Sequence, residues 1–117
     1  MKKTYDQNHA EKLVPLLEVV VNEILERTRT VEALRRESDP HASQPSAAEL
    51  ERRAEIASQR REIRLSIREL ERLGCVVDEQ DLSRVYIPGP GGKIDRGFSW
   101  QSGEKDVRTV TEEASQG

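Results

Sequence analysis

The chain has 117 residues, of which 34% are hydrophobic, only 3% aromatic and 35% charged, and its formal net charge is −3. This size is typical of a single domain with a thin core, and charges that nearly cancel exclude a surface that is basic overall. The one cysteine, Cys75, excludes an internal disulfide and a multi-cysteine zinc site, and it fits a reducing compartment.

Neither the first residues nor the most apolar segment has the pattern of a targeting or membrane sequence. Residues 1–3 are followed by polar residues, where a secretory signal needs a continuous apolar stretch. The apolar segment 13–25 is too short to span a bilayer, and it is interrupted by Pro15, Glu18 and Glu23. The sequence therefore predicts a soluble cytoplasmic protein with no membrane partner.

A long first helix is predicted over residues 7–37. Thr4 and Gln7 form a capping box at its start, and Asp6 is an alternative cap. Pro15 lies past the first turn, so it should remove one backbone hydrogen bond and kink the helix. Apolar residues recur at helical spacing: Leu13, Leu17, Val20, Ile24, Val31 and Leu34.

A second helix is predicted after the helix-breaking segment 38–45. Ser46 and Glu49 form a capping box, and Gly74 is placed to end the helix just after its C-cap. A connection this short favours an antiparallel, coiled-coil-like hairpin. The seam residues of the second helix are Ile56, Ile63, Ile67, Leu70 and Leu73.

The first helix has more apolar residues than one seam requires. Val14, Val21 and Leu25 lie away from the seam, and the second helix alone cannot cover both surfaces. We therefore expect a homodimer in which two first helices pair within a four-helix bundle, with these three residues at the interface.

A small antiparallel sheet is predicted after the helices. Strand-like runs occur at residues 75–77, 84–87, 94–100 and 107–110, separated by turn residues. Alternation should turn Ile94, Phe98 and Trp100 toward the hairpin, and Ser99 and Gln101 away from it.

The predicted fold class is thus α+β, a long antiparallel helical hairpin followed by a small antiparallel sheet. The chain forms one domain, with the hairpin at about 7–73, the β region at about 75–110 and a frayed tail at 111–117.

Two motifs that suggest ligands fail on their spacing. Residues 89–93, Gly-Pro-Gly-Gly-Lys, lack the earlier glycine and the following Ser or Thr of a phosphate-binding loop, so a flexible hairpin loop is the better interpretation. His9 and His41 lie at opposite ends of the first helix and cannot share a metal ion. The sequence predicts neither a metal site nor a cofactor.

An arginine stripe on the second helix allows two interpretations. Arg60, Arg64, Arg68 and Arg72 recur every four residues, as a contact to a phosphate backbone or an anionic ligand would require. Alternatively, glutamates of the partner helix and of the same helix neutralise the stripe. We expect ion pairs, because acidic partners are available and the protein is acidic overall.

The turn that contains Trp100, Gly103 and Glu104 is the candidate ligand site. Glu104 beside aromatic residues could act as a general base or contact a ligand. The alternative is a structural turn whose carboxylate accepts backbone N–H groups while Trp100 fills the core.

The order of several short motifs resembles a prokaryotic family called domain of unknown function 2203. The matching segments are residues 5–17, with Ala10 and Pro15 in place, residues 71–78, residues 85–88, and Trp-x-x-Gly-Glu-x-x-Val at residues 100–107. Ser99 stands where relatives have Cys, and residues 110–111 are Val-Thr where they have Trp-His. The resemblance therefore implies the fold more than a function, and carries over only Trp100 and Glu104.

Taken together, these patterns predict a non-enzymatic module for interaction and self-association. A small-ligand or enzymatic domain that uses the Trp100 and Glu104 turn is the alternative. A weak nucleic-acid binder that uses the arginine stripe is the third.

Overall fold

The computed structural model of the chain describes residues 4–110, so the predicted tail at 111–117 lies outside the described residues. Two helices, α1 (Gln7–Glu37) and α2 (Ala47–Arg72), form the hairpin. Four strands follow them: β1 (Val76–Val77), β2 (Arg84–Ile87), β3 (Phe98–Gln101) and β4 (Arg108–Thr109). The α+β prediction is confirmed.

Side-chain caps explain where the helices begin. The Oδ1 atom of Asp6 accepts a hydrogen bond from the backbone N–H of His9 at 2.8 Å, so Asp6 rather than Thr4 is the cap of α1. The Oγ atom of Ser46 accepts from the N–H of Glu49 at 3.1 Å and caps α2. The helix α1 continues through Pro15.

A glycine ends α2 as predicted. Gly74 has a φ of 84°, its N–H donates to the carbonyl of Glu71 at 2.9 Å, and the N–H of Cys75 donates to that of Leu70 at 3.0 Å. This pair of bonds is a Schellman motif, and it turns the chain directly into β1.

The sheet is antiparallel with the strand order β1-β2-β3-β4. Val85 of β2 lies between Val77 and Trp100, and Phe98 is opposite Thr109. The predicted third strand was too long, because Ile94–Arg96 forms a 3₁₀ turn and β3 starts only at Phe98.

Both faces of β3 are buried. Trp100 is fully buried and Phe98 is 7% exposed, as expected for the face toward the hairpin. The prediction that Ser99 faces solvent is wrong, since it is 2% exposed. Ser99 sits between Tyr86 of β2 and Arg108 of β4, whose side chains can cover that face of the sheet.

The first described residues tie the sheet to the helices. The N–H of Tyr5 donates to the carbonyl of Pro88 at 3.1 Å, and its hydroxyl donates to the carbonyl of Leu73 at 2.9 Å. Burial raises the pKa of that hydroxyl. Between residues 4 and 110, neither α1 nor α2 contains an apolar stretch long enough to cross a membrane.

Candidate functional site

The side chains of Trp100 and Glu104 are used inside the turn that they form. The Nε1 atom of Trp100 donates to the backbone carbonyl of Glu104 at 2.8 Å. The Oε1 atom of Glu104 accepts the N–H of Gln101 at 3.0 Å, and its Oε2 lies 3.3 Å from Nε of Arg108. Gly103 has a φ of 95°, a backbone region that favours glycine.

These bonds use polar atoms of both side chains to hold the turn together. The single polar side-chain atom of Trp100 already forms a hydrogen bond, and the residue has no exposed surface. Of these two side chains, only that of Glu104 is therefore accessible to a ligand. The ion pair of Glu104 with Arg108 is partly exposed, and such pairs contribute little to stability.

The glycine-rich loop is held by close backbone approach. A Cβ atom at Gly97 would lie 1.9 Å from the carbonyl oxygen of Ile87, and one at Gly89 would lie 2.1 Å from that of Arg96. The N–H of Gly89 also donates to the carbonyl of Lys93 at 3.0 Å. The glycines therefore allow two chain segments to touch, which a merely flexible loop would not require.

The three residues predicted for a dimer interface lie in the core of one chain. Val21 is fully buried, Val14 is 6% exposed, and Leu25 is half-buried against the same cluster. That cluster includes Val85 and Trp100 of the sheet. The chain's own sheet covers the apolar excess of α1, so the interface surface predicted from these residues is not available.

The predicted ion pairs of the arginine stripe are absent from residues 4–110. Arg60, Arg64, Arg68 and Arg72 are all exposed, and no carboxylate oxygen of that region lies within 4.0 Å of their guanidinium nitrogens. We call these four residues the arginine row. The prediction that glutamates neutralise it is wrong for this part of the chain.

The geometry of an α-helix explains the discrepancy. With 3.6 residues per turn, each step of four residues moves about 40° around the axis. The row therefore drifts away from the seam at Ile63 and Leu70 until Arg72 lies on the side opposite α1. Most carboxylates of α2 occupy another side of the helix, namely Glu51, Glu55, Glu62 and Glu69.

A buried carboxylate organises the tip of the hairpin. Glu49 is 2% exposed, and its carboxylate accepts hydrogen bonds from the hydroxyl of Ser38 and from Nε of Arg52 and Arg53, both at 3.1 Å. The bond from Ser38, with further bonds from the N–H of Asp39 and the two arginines, lowers the pKa of Glu49 to about 2.

Beside this carboxylate lies an open groove of about 540 Å³ that the sequence interpretation missed. Three arginines line it, Arg35 from α1 and Arg53 and Arg60 from α2. We call this cavity the tip groove. The sequence carries part of this signal, because Arg35 and Arg53 flank a short turn and therefore lie at the same end of an antiparallel hairpin.

Two other titratable residues, Asp6 and Cys75, have pKa values shifted by their structural surroundings. His9 Nδ1 lies 2.8 Å from Asp6 Oδ1, and the N–H and ring of His9 lower the pKa of Asp6. Burial raises the pKa of the Cys75 thiol to about 11, which keeps it protonated and unreactive at neutral pH. Within the described part of the chain, no three His, Cys, Asp or Glu residues are grouped so that they could hold a metal ion.

The comparison with known families gives one match. The sequence model of a family described as "Uncharacterized conserved protein (DUF2203)" matches residues 3–115, which confirms the resemblance. No curated protein and no solved structure matches the chain.

Proposed function

Since the chain belongs to DUF2203, a family whose description names no activity, we propose a function from its geometry: a non-enzymatic interaction module that binds an anionic partner through the arginine row. The observation that carries this proposal is the exposure of the whole row, with no carboxylate oxygen within 4.0 Å inside residues 4–110. Like charges four residues apart destabilise a helix by about 0.2–0.5 kcal/mol per pair, and an anionic partner would remove this cost.

The partner that fits best is an acidic helix of another protein. Neighbouring arginines of the row, such as Arg64 and Arg68, lie about 6 Å apart along α2 and only about 40° apart around it. An acidic helix with a carboxylate at every fourth position repeats its charges at the same interval, so it can meet the middle of the row. Each guanidinium can bind a carboxylate with two parallel hydrogen bonds.

Nucleic acid fits less well. The protein carries a net charge of −3, and glutamates on another side of α2 would repel a polyanion wider than one helix. Single strands are bound by stacking on exposed aromatic rings, whereas Trp100 and Phe98 are buried and Tyr5 and Tyr86 are half-buried.

A peptide-binding measurement tests the proposal. The probe is a synthetic helical peptide of roughly 20 residues with glutamate at every fourth position, and the competitor is a DNA duplex of roughly 20 base pairs. We expect the peptide to bind more tightly, and the double substitution Arg64→Gln and Arg68→Gln to weaken it about tenfold.

The control is Arg29→Gln, which removes an exposed arginine of α1 outside the row. If the control weakens peptide binding equally, the effect comes from net charge and not from the arginine row, which would contradict the proposal. Tighter binding of the duplex, with a steep loss on adding salt, would favour the nucleic-acid alternative instead.

The non-enzymatic part of the proposal is supported by the candidate turn. The polar side-chain atoms of Trp100 and Glu104 already form bonds within the chain. A ligand-binding or catalytic role for these atoms would require those bonds to break. We also place the module in the cytoplasm, because a single buried thiol fits a reducing compartment.

Self-association remains a second candidate, on a different surface of α1. Val19 is 67% exposed and Leu16 is 45% exposed, and they lie three residues apart on one side of the helix. A two-fold pairing of α1 helices would bring this apolar pair against its own copy and form the homodimer.

Sedimentation equilibrium tests the homodimer directly. A homodimer should give a measured mass of twice the 13.3 kDa of one chain. Val19→Asp should bring the measured mass back to that of a single chain, because it would bury an unpaired charge in the interface. Val76→Asp, at a valine of β1 that is 47% exposed, is the matched control and should leave the dimer intact. A single-chain mass for the unsubstituted protein at tens of micromolar would remove this candidate.

A further inference from the structure

We propose that the tip groove is a binding site for a phosphate monoester that carries an apolar group. Three arginines from two helices converge on it, and the remaining lining residues are Ser38, Pro40, Ile56 and Ala57. Its volume of about 540 Å³ falls within the usual range for small-molecule sites. The groove is distinct from the arginine row, with which it shares only Arg60.

The groove has an excess of positive charge. Among residues 4–110 no carboxylate lines the groove, and the buried carboxylate beside it, that of Glu49, already accepts from Ser38, Arg52 and Arg53. Glu32 shares a neighbouring depression with Arg35 but forms no ion pair with it within 4.0 Å. An anion in the groove therefore meets guanidinium groups that are not fully neutralised.

Arg53 is held in position before any ligand binds. Its Nε donates to Glu49 Oε1 at 3.1 Å and its Nη2 donates to the carbonyl of Asp39 at 3.0 Å, which leaves Nη1 without an acceptor among residues 4–110. Because Glu49 is itself buried and forms several hydrogen bonds, it already immobilises the side chain of Arg53 in the folded chain. Ligand binding therefore need not order this side chain. Arg35 and Arg60 are exposed at the rim and can close onto an anion.

The chemistry of the lining selects phosphate. A guanidinium binds phosphate with two parallel hydrogen bonds, and three arginines match the two negative charges of a monoester better than the single charge of a carboxylate. Ile56 and Ala57 give the floor an apolar surface beside the arginines, where the organic part of the ester can pack. Both a free small molecule and a phosphorylated tyrosine side chain of a protein have this chemistry.

Calorimetric titration with phenyl phosphate tests the site, with benzoate as the carboxylate analogue and inorganic phosphate as the probe without an apolar group. We expect phenyl phosphate to bind most tightly, and Arg35→Gln to weaken it about tenfold. The control Arg29→Gln should leave the affinity unchanged. Equal affinities for phenyl phosphate and benzoate, or equal loss in the two variants, would overturn the proposal.

Two further arms separate the possible sources and the two proposals. Tighter binding of a phosphotyrosine peptide than of phenyl phosphate would assign the site to a modified protein, and the reverse order would assign it to a small molecule. In the double variant Arg64→Gln and Arg68→Gln, phenyl phosphate binding should persist even if acidic-peptide binding is lost. If the double variant no longer binds phenyl phosphate, the tip groove is not a separate site, whether or not the arginine row binds an acidic peptide. Nitrogen-15 NMR of the arginine Nε–H groups should show signal changes at Arg35, Arg53 and Arg60 when phenyl phosphate is added.

Discussion

Gly97 shows how one residue without a side chain fixes the entry into β3. Its φ is −103°, so the need for glycine does not come from an unusual backbone angle. It comes from packing, because a Cβ atom would overlap the carbonyl oxygen of Ile87 at 1.9 Å. A backbone atom inside a strand cannot move aside as the end of a flexible side chain can.

Gly97→Ala should therefore lower the free energy of unfolding by about 1–3 kcal/mol, the usual cost of overpacking. Gly103→Ala is the comparison, since open space surrounds that position and only the backbone angle is unfavourable. We expect a smaller loss there, about 1 kcal/mol, in denaturant titrations. A larger loss at Gly103 than at Gly97 would contradict the steric explanation.

Glu49 gives the stability of the hairpin tip a dependence on pH. Its pKa is about 2 in the folded chain, against an ordinary value of 4.5, because Ser38, the N–H of Asp39 and two arginines favour the ionised form. Since the folded pKa is the lower one, the stabilisation is complete above pH 4.5 and disappears as the pH falls toward 2.

Glu49→Gln should accordingly be less stable than the unsubstituted chain at pH 7, and the difference should shrink between pH 4.5 and 2. Thermal unfolding of both proteins across this range measures the effect. Glu51→Gln, at an exposed neighbour, should have no such pH-dependent difference. A constant difference at all pH values would mean that the charge of Glu49 is not what stabilises the tip.

Among the elements, the helices could be predicted closely and the third strand could not. Ser46 and Gly74 are local signals that act within a few residues, so the ends of α2 follow from the sequence. The start of β3 depends on the contact of Gly97 with Ile87, ten residues earlier. The alternation of apolar and polar residues predicted a strand that begins at Ile94, but Ile94 lies in a 3₁₀ turn.

The central strands depend on Trp100, the largest of the fully buried side chains. Trp100→Ala should lower the free energy of unfolding by about 3–5 kcal/mol, because it leaves a cavity between β2, β3 and α1. Val76→Ala on the exposed side of β1 is the control and should cost less than about 0.5 kcal/mol. Circular dichroism in denaturant measures both, and a loss below about 1 kcal/mol at Trp100 would mean that the core closes around another residue.

At the scale of the whole molecule, the packing of the sheet against the helical hairpin decides which surfaces remain exposed to partners. The sequence showed an apolar excess on α1, but no local pattern tells whether a second chain or the sheet covers it. In the structure the sheet packs on Val14 and Val21, so the dimer surface expected there is internal. The same arrangement leaves the arginine row exposed, because that row drifts around α2 away from both α1 and the seam.

A charge-exchange measurement tests the central claim that the arginine row binds an acidic helix. The substitutions Arg64→Glu and Arg68→Glu reverse the middle of the row, and a second peptide carries lysine at each glutamate position of the first. The unsubstituted chain should prefer the acidic peptide, and the variant should prefer the basic one, each by about tenfold in fluorescence anisotropy. If the unsubstituted chain and the folded variant bind the acidic peptide with equal affinity, the arginine row is not the binding surface.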